Sequence, residues 1–139
     1  SGYSPGFSNP FNAYLWRMEV HNNQLYVGTL DTSIFSMFTS KDKLSKFAAD
    51  QLSRSDLMQW LLSSGGADLW RTRQGRVWEP VTTNGFDNFY NYGIRTIVSN
   101  GKKLFIGTAN PFGPKIWNSE TCEYEPNALS GAELILLEN

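Results

Sequence analysis

A chain of 139 residues is long enough for one domain with its own hydrophobic core. Aromatic residues make up 14% of it and charged residues only 18%, a composition that argues against intrinsic disorder. The net charge is −1 and Lys and Arg are scattered, so we expect no nucleic-acid partner, and no apolar run approaches the roughly 20 residues of a membrane span.

Cysteine and histidine each occur once in the sequence. Cys122 therefore has no partner for an internal disulfide, and His21 precedes Asn22-Asn23 in a predicted turn. A zinc site or a Cys-His nucleophile pair needs more of these side chains than the chain contains. We expect no metal and no cofactor.

Two stretches of the chain are similar enough to predict an internal repeat. The first is YLWRMEVHNNQLYVGTLDT at 14–32, and the second is YGIRTIVSNGKKLFIGTAN at 92–110. Further matches in the same order are Gly6-Phe7 with Gly85-Phe86, GADLW at 66–70 with GPKIW at 113–117, and WEP at 78–80 with YEP at 124–126. A weaker third match to the same pattern is GAEL at 131–134. Such self-similarity is typical of folds that stack like units.

Each copy contains four short segments that are rich in β-branched and aromatic residues and are separated by Asn, Gly and Pro, as β-strands are. The segments are 15–20, 25–30, 67–72 and 76–82 in the first copy and 94–99, 103–108, 115–118 and 122–126 in the second. Four strands in about 40 to 50 residues form a β-propeller blade. We therefore predict an all-β fold with blade one at 13–83, blade two at 92–127 and a terminal strand at 132–137.

A segment with a different character interrupts blade one at about 39–64. It is rich in helix formers and lacks Pro and Gly, and its apolar residues fall at helical spacing. These residues are Leu44, Phe47, Ala48 and Leu52, followed by Leu57, Trp60 and Leu61. We predict two helices, the second ended by Gly65-Gly66, that pack on the blades; a docking surface for a partner is the alternative.

The stretch GADLWRTRQGRVWEPVT at 66–82, followed by a Gly-Phe turn and a strand ending in GTAN, resembles bacterial β-propeller repeats of the kelch and sialidase-like kind. The sialidase-type Asp-box has the form Ser-x-Asp-x-Gly-x-x-Trp. When the box is aligned on Gly75 and Trp78, its Ser and Asp positions hold Arg71 and Arg73, so the box is degenerate. The resemblance implies a propeller fold and, for sialidase-like members, arginines that hold a substrate carboxylate.

Two blades do not close a ring, because a propeller needs about four to eight of them. Each unit of a repeat fold buries its apolar surface only against its neighbours. We therefore expect the remaining propeller blades as partners. They would come from another chain, with this chain as part of a larger propeller, or from copies of the chain itself in a symmetric ring.

The long connections of the predicted blades share one end, because successive strands of a blade run antiparallel. These connections are the helical insertion and the loops at 5–13, 83–91 and 110–113. Long loops on a rigid scaffold are where binding sites are usually found. Our candidate ligand-binding residues at this end are Tyr14, Arg17, Asp31, Tyr92, Arg95 and Asn110.

The chemistry of these residues allows more than one role. The planar guanidinium groups of Arg17 and Arg95 suit a carboxylate, sulfate or phosphate, and the alternative is that each arginine ties neighbouring blades together through backbone carbonyls or an aspartate. Asp31 suits a general acid or base, or a turn carboxylate. No pair of carboxylates can be placed at a known separation, so no catalytic residue is assigned.

These observations predict a ligand- or protein-binding β-propeller module whose binding face consists of the long loops and the helical insertion. One alternative is a sialidase-like hydrolase or lyase with an arginine-lined central pocket. A second alternative is a carbohydrate-binding lectin formed by a symmetric oligomer. We expect a soluble protein. Its compartment is left open, and secreted and periplasmic locations are among the possibilities.

Overall fold

The computed structural model describes residues 2–38, 54–118 and 120–138 of the chain. The fold is mostly β, with 45% strand and 15% helix, and its main antiparallel sheet curls into a half-barrel. The prediction of an all-β fold is confirmed at this level.

The first four strands form an antiparallel meander. They are β1 (Asn12–His21), β2 (Gln24–Asp31), β3 (Leu69–Thr72) and β4 (Glu79–Thr82), in the spatial order β1-β2-β3-β4. The two-residue turn between β1 and β2 has positive φ at both Asn22 and Asn23, 48° and 57°. Such a turn matches the twist of the flanking strands, and asparagine tolerates the left-handed region better than most residues do.

The second group of strands begins with β5 (Gly93–Ser99) and β6 (Lys103–Ala109), which pair antiparallel along their length. β5 meets β2 at a single pair, Leu30 with Gly93. The remaining strands are β7 (Lys115–Asn118), β8 (Glu123–Pro126) and β9 (Leu134–Glu138).

The strand beside β6 differs from the predicted one. We expected 115–118 to follow β6 in the sheet, but β9 pairs with β6, while β7 and β8 pair only with each other. The apolar alternation of β9 explains this order, because Ile135 and Leu137 pack against the core whereas every residue of β8 is exposed. The segment 115–126 is therefore a separate hairpin between β6 and β9.

One of the two predicted helices lies within the described residues. α1 (Arg54–Ser64) ends where Gly65 donates its backbone N–H to the Leu61 carbonyl at 2.9 Å, and Gly66 follows with a φ of 99°. The prediction that Gly65-Gly66 ends the helix is confirmed. The other predicted helix, with Leu44, Phe47, Ala48 and Leu52, lies outside the described residues.

Two apolar clusters hold these elements together. The first lies within the sheet and contains Tyr26, Ala67, Leu69, Ile94, Ile97, Leu104 and Ile106. The second joins α1 to the loops through Ile34, Leu61, Phe89 and Tyr90. α1 therefore packs on the loop end of the sheet through Leu61, which is fully buried.

Several large apolar side chains stay exposed on the strands at the limits of the sheet. On β1 these are Tyr14, Leu15, Met18 and Val20, each more than half exposed, and on β9 they are Leu134 and Leu136, with exposed fractions of 74% and 41%. Scattered exposed apolar residues are ordinary on a protein surface, whereas these lie together on two strands.

The close approach of β2 to β5 gives a first prediction. A Cβ atom at Gly28 would overlap the Ile94 side chain, so Gly28→Ala forces the two strands apart. We expect it to lower the free energy of unfolding by about 3 kcal/mol, as overpacking of a core does. Gly113→Ala, where a Cβ atom meets open space, is the control, with an expected change within about 0.5 kcal/mol in urea unfolding.

Candidate functional site

Two turns with the same backbone conformation lie at the loop end of the sheet. Gly6, Phe7 and Ser8 have φ values of 72°, 57° and 68°, and residues 85–87 have values of 64°, 60° and 63°. A run of three left-handed residues costs energy for side chains larger than glycine. Hydrogen bonds from the residues that follow each turn must therefore hold it in place.

The first turn is held by Asn12. Its Nδ2 donates to the Gly6 carbonyl at 2.9 Å and to Asp68 Oδ2 at 2.7 Å, while its Oδ1 accepts from Thr29 Oγ1 at 2.8 Å. The backbone N–H of Asp68 donates to Thr29 Oγ1 at 2.8 Å, and the N–H of Thr29 donates to the Asp68 carbonyl at 3.0 Å. One amide thus links the turn, β2 and the start of β3.

The second turn is held by the same set of bonds at Asn91. Its Nδ2 donates to the Gly85 carbonyl at 2.9 Å and to Glu133 Oε2, and its Oδ1 accepts from Thr108 Oγ1 at 3.0 Å. Glu133 donates its N–H to Thr108 Oγ1 at 2.8 Å. Glu133 of GAEL therefore occupies the place that Asp68 of GADL has in the first set.

Asp31 is fully buried in the turn that follows β2. Its Oδ2 accepts from Asn9 Nδ2 at 2.9 Å, and its Oδ1 accepts from the backbone N–H of Ser33 at 2.8 Å and from the Ser33 hydroxyl. This is the geometry of a turn carboxylate at the start of the 3₁₀ helix Ser33–Met37. Burial raises the pKa of Asp31, and the hydrogen bonds from Ser33 and Asn9 oppose that rise.

Asp68 is the second buried carboxyl group in this region, with an exposed fraction of 2%. Its Oδ2 accepts from Asn12 and from Trp70 Nε1, the latter at 3.1 Å, whereas its buried Oδ1 has no hydrogen-bond partner among the described residues. Burial raises the pKa of Asp68, the two hydrogen bonds lower it, and the charge of Asp31 raises it. Both carboxyl groups are therefore harder to ionise in the folded protein than in the unfolded chain, which couples their titration to stability.

The two candidate arginines lie beside each other on β1 and β5. Arg17 Nε donates to the backbone carbonyl of Arg95 at 2.9 Å, and the Arg95 guanidinium lies 5.3 Å from the centre of the Trp16 ring. Neither arginine has an acidic partner among the described residues. Arg17 thus joins β1 to β5 through a backbone carbonyl, while both exposed guanidinium groups keep donors that face solvent.

Aromatic side chains at the loop end form two groups of ring contacts, which we call together the aromatic strip. The backbone bond from Phe38 N–H to the Phe35 carbonyl at 3.1 Å joins the groups, and the second one reaches Arg95. In the aromatic strip, the Phe38 ring stacks on Phe112 at 5.7 Å, Phe35 contacts Tyr92 at 5.7 Å, and Tyr92 contacts Trp16 at 6.0 Å. Phe35 and Phe38 are each 44% exposed. The strip therefore offers ring faces and edges to a ligand, next to a guanidinium group.

The other candidate residues have different surroundings. Tyr14 is 67% exposed on β1 and lies outside the aromatic strip. Asn110 is buried, donates to the Leu129 carbonyl at 2.8 Å and accepts from the N–H of Phe112 at 3.2 Å. Of the six predicted residues, Arg17 and Arg95 are hydrogen-bonded to each other, and the backbone N–H of Asp31 donates to the Tyr92 carbonyl at 2.7 Å. The ring of Trp16 lies between Tyr92 and Arg95 and links the two pairs.

The residues predicted to bind a ligand did not include Asp68, Phe35, Phe38 or Phe112. Asp68 lies inside GADLW, and the alternating apolar residues of that stretch indicated a strand instead of a site. The aromatic side chains lie on both sides of the insertion, at the start of the connection to α1 and in the loop after β6. Because these residues are far apart in the sequence, the strip is not evident from it. The two Phe residues at 35 and 38 are the one feature of the sequence that indicates it.

The single histidine is buried and bonded. His21 Nδ1 lies 2.7 Å from Ser99 Oγ, and its other ring nitrogen lies 3.1 Å from Asn22 Nδ2. Within residues 2–38, 54–118 and 120–138, no three His, Cys, Asp or Glu side chains are grouped so as to hold a metal ion. No helix in these ranges is long and apolar enough to cross a membrane.

Comparisons with protein-family models, with curated proteins and with solved structures gave no match to this chain.

The two buried acids give a prediction about pH. Their raised pKa values mean that the folded protein holds protons more tightly than the unfolded chain. Each carboxyl group therefore contributes its whole stabilisation to the free energy of unfolding at pH values below 3.8, its ordinary pKa. As the pH rises from there through the folded-state pKa, that contribution falls by up to about 1.4 kcal/mol per pH unit for each group.

Urea unfolding at a series of pH values measures this slope. Asp68→Asn should flatten the fall in stability above pH 3.8, because the amide at that position does not titrate. Asp31→Asn should flatten it in the same way. A slope in Asp68→Asn equal to that of the unchanged protein would show that Asp68 does not contribute to the pH dependence.

Proposed function

We propose that this chain is a binding module: part of a β-propeller of the kelch or sialidase-like kind, completed by further blades, with its ligand site at the loop end. The observation that carries the proposal is the aromatic strip, which includes the half-exposed Phe35 and Phe38 and ends at the guanidinium group of Arg95. Exposed ring faces beside a cation are suited to recognition rather than to folding.

The two sets of hydrogen bonds support the division into like units. Asn12, Thr29 and Asp68 correspond bond for bond to Asn91, Thr108 and Glu133. In the first unit, β1 to β4 form a four-stranded antiparallel meander, and a blade has the same strand order. In the second unit, β5, β6 and β9 take the places of the first three strands. Blade two, predicted at 92–127, would then extend to include β9. The hairpin of β7 and β8 would be an insertion in it.

The exposed apolar strands support the proposal that further blades pack on this chain. β1 exposes Met18 and Val20 by 61% and 63%, and β9 exposes Leu134 by 74%. The outer edge of β9 has no neighbouring strand among the described residues, whereas β3 is covered by β4 in the first unit. Another unit that supplied an apolar face and a strand edge would bury these side chains and pair that edge.

A test of the assembly uses charged substitutions on the two exposed strands. We expect the purified chain to associate in sedimentation velocity as its concentration rises, because apolar side chains on β1 and β9 gain burial. Met18→Glu combined with Leu134→Glu should keep it monomeric. Tyr124→Glu, which is equally exposed but lies on the separate hairpin, is the control and should associate like the unchanged chain.

The outcome also separates the partners. A single discrete oligomer would support a ring made of copies of this chain, as in the lectin alternative, and a chain that stays monomeric at every concentration would contradict such a ring. Association that the charged substitutions on β1 and β9 do not weaken would contradict the proposal that these are docking strands.

A second candidate function is the binding of an anionic ligand, and the pairing of Arg17 with Arg95 favours it. Both side chains are exposed, and no carboxylate neutralises either one within the described residues. A carboxylate or sulfate near Arg95 would also contact the ring of Trp16. This arrangement supports a carbohydrate that bears an acidic group and also accommodates a sialidase-like hydrolase or lyase.

Calorimetric titration tests this candidate with a carboxylated sugar, N-acetylneuraminic acid, and with galactose as the neutral comparison. We expect the acid to bind more tightly than galactose, and Arg95→Ala to weaken it roughly tenfold because a charge-assisted hydrogen bond is lost. Lys102→Ala removes the same charge in an exposed turn and should leave the affinity unchanged. Equal affinity of the unchanged protein for both sugars would contradict an anion site.

A further inference from the structure

A second concave site lies at the opposite end of the sheet from the long loops. It is a cavity of about 200 Å³ lined by the β3–β4 loop at 73–77 together with Gln24, Thr72 and Glu79. The β1–β2 turn and the β3–β4 loop share this end because the strands of the meander are antiparallel. The cavity is therefore independent of the aromatic strip and of the proposed function.

The loop that lines the cavity is held by one side chain at its base. The Thr72 hydroxyl donates to the Val77 carbonyl at 2.5 Å and accepts from the backbone N–H of Gly75 at 3.0 Å. Thr72 is itself buried, and Gly75 has a φ of 74°, which glycine adopts without strain. The positions of the neighbouring residues Arg73 and Arg76 are thus fixed by the backbone before any ligand arrives.

The cavity carries excess positive charge. Arg73 and Arg76 line it, and neither has an acidic partner in the part of the chain that the structure describes. The one carboxylate in the lining belongs to Glu79, and its Oε2 accepts from Arg71 Nε at 3.1 Å, so Arg71 already compensates its charge. Two guanidinium groups therefore remain without a counter-charge beside the same cavity.

We propose that this cavity binds a tetrahedral oxyanion group, a phosphate or sulfate, between Arg73 and Arg76. Two planar guanidinium groups can each present paired N–H donors to such a group. Pockets that enclose whole organic ligands measure about 300–1,000 Å³, so a cavity of about 200 Å³ suits one small anionic group. The side-chain amides of Gln24 and Gln74 supply further donors.

The pattern of the repeat agrees with a local function at this loop. The first copy has Arg71 and Arg73 where the degenerate Asp-box has its Ser and Asp positions. A feature that every unit needs for folding would recur, whereas Glu138 stands at the position of Arg73 when GADL is aligned with GAEL. Arg73 therefore fits a site that belongs to this one loop.

The experiment is a two-dimensional NMR titration of the whole chain with inorganic phosphate, inorganic sulfate and acetate in turn, at an ionic strength held constant with chloride. We expect saturable shifts of the amide signals at 72–79 with phosphate or sulfate. Saturation by both indicates the tetrahedral group itself, and saturation by one identifies which anion the cavity prefers.

Variants then assign the binding to the arginines. Arg73→Ala with Arg76→Ala should weaken binding at least about tenfold, the change expected when one charge-assisted hydrogen bond is lost. Lys102→Ala with Lys115→Ala removes the same total charge from other exposed positions and should leave the affinity unchanged. Circular dichroism checks that both double variants keep the fold.

Three results would overturn the proposal. The first is an absence of saturable shifts at 72–79 with either tetrahedral anion, and the second is tighter binding of acetate than of both. The third is an equal loss of affinity in the arginine and lysine double variants, because it would show that only net charge matters. None of these results bears on Arg95 or the aromatic strip, so the proposed function is tested separately.

Discussion

The hydrogen bonds of Asn12 and Asn91 are the constraint on which the loop end of this fold depends. Each amide joins a left-handed turn, the second strand of its unit and the residue that leads into the next strand. Each amide uses both its N–H donors and its carbonyl oxygen, so its own polar atoms are satisfied. The turns held in this way carry Phe7, which stacks on Trp70 at 4.7 Å, and Phe86, which packs against the apolar cluster of the sheet.

The two sets of bonds differ in the acid that completes them, and the difference has an energetic consequence. Glu133 is exposed and still reaches Asn91, whereas Asp68 is buried and one of its oxygens has no partner in the described part of the chain. A buried carboxylate without full hydrogen bonding is costly when ionised. Asp31 adds a second buried acid to the first set, where the second set has Asn110. The first unit thus carries a charge-related cost at its loop end that the second avoids.

The sequence was sufficient for the β-rich character, the strand positions and the helix that ends at Gly65-Gly66, because these follow from local periodicity and glycine. The order of the strands was not predictable in the same way. Both GPKIW and GAEL match GADLW, and the shared Trp favoured 115–118 as the strand beside β6. Pairing is decided by which segment can bury its alternate side chains, and Ile135 and Leu137 do so. The aromatic strip was hidden for a related reason, since its members are adjacent only after folding.

The division of the molecule into two ends explains why its exposed arginines have separate roles. At the loop end, Arg17 donates one N–H to the Arg95 carbonyl, and Arg95 lies over Trp16. Both side chains therefore help to join β1 to β5. At the other end, Arg73 and Arg76 lie on a loop that Thr72 already holds, and neither has an acidic partner among the described residues. A residue that joins two strands can contact a ligand only with its remaining donors. A loop closed by its own backbone and one buried hydroxyl does not need its arginines for packing, so an anion bound at the short-turn end would leave the packing of the sheet unchanged.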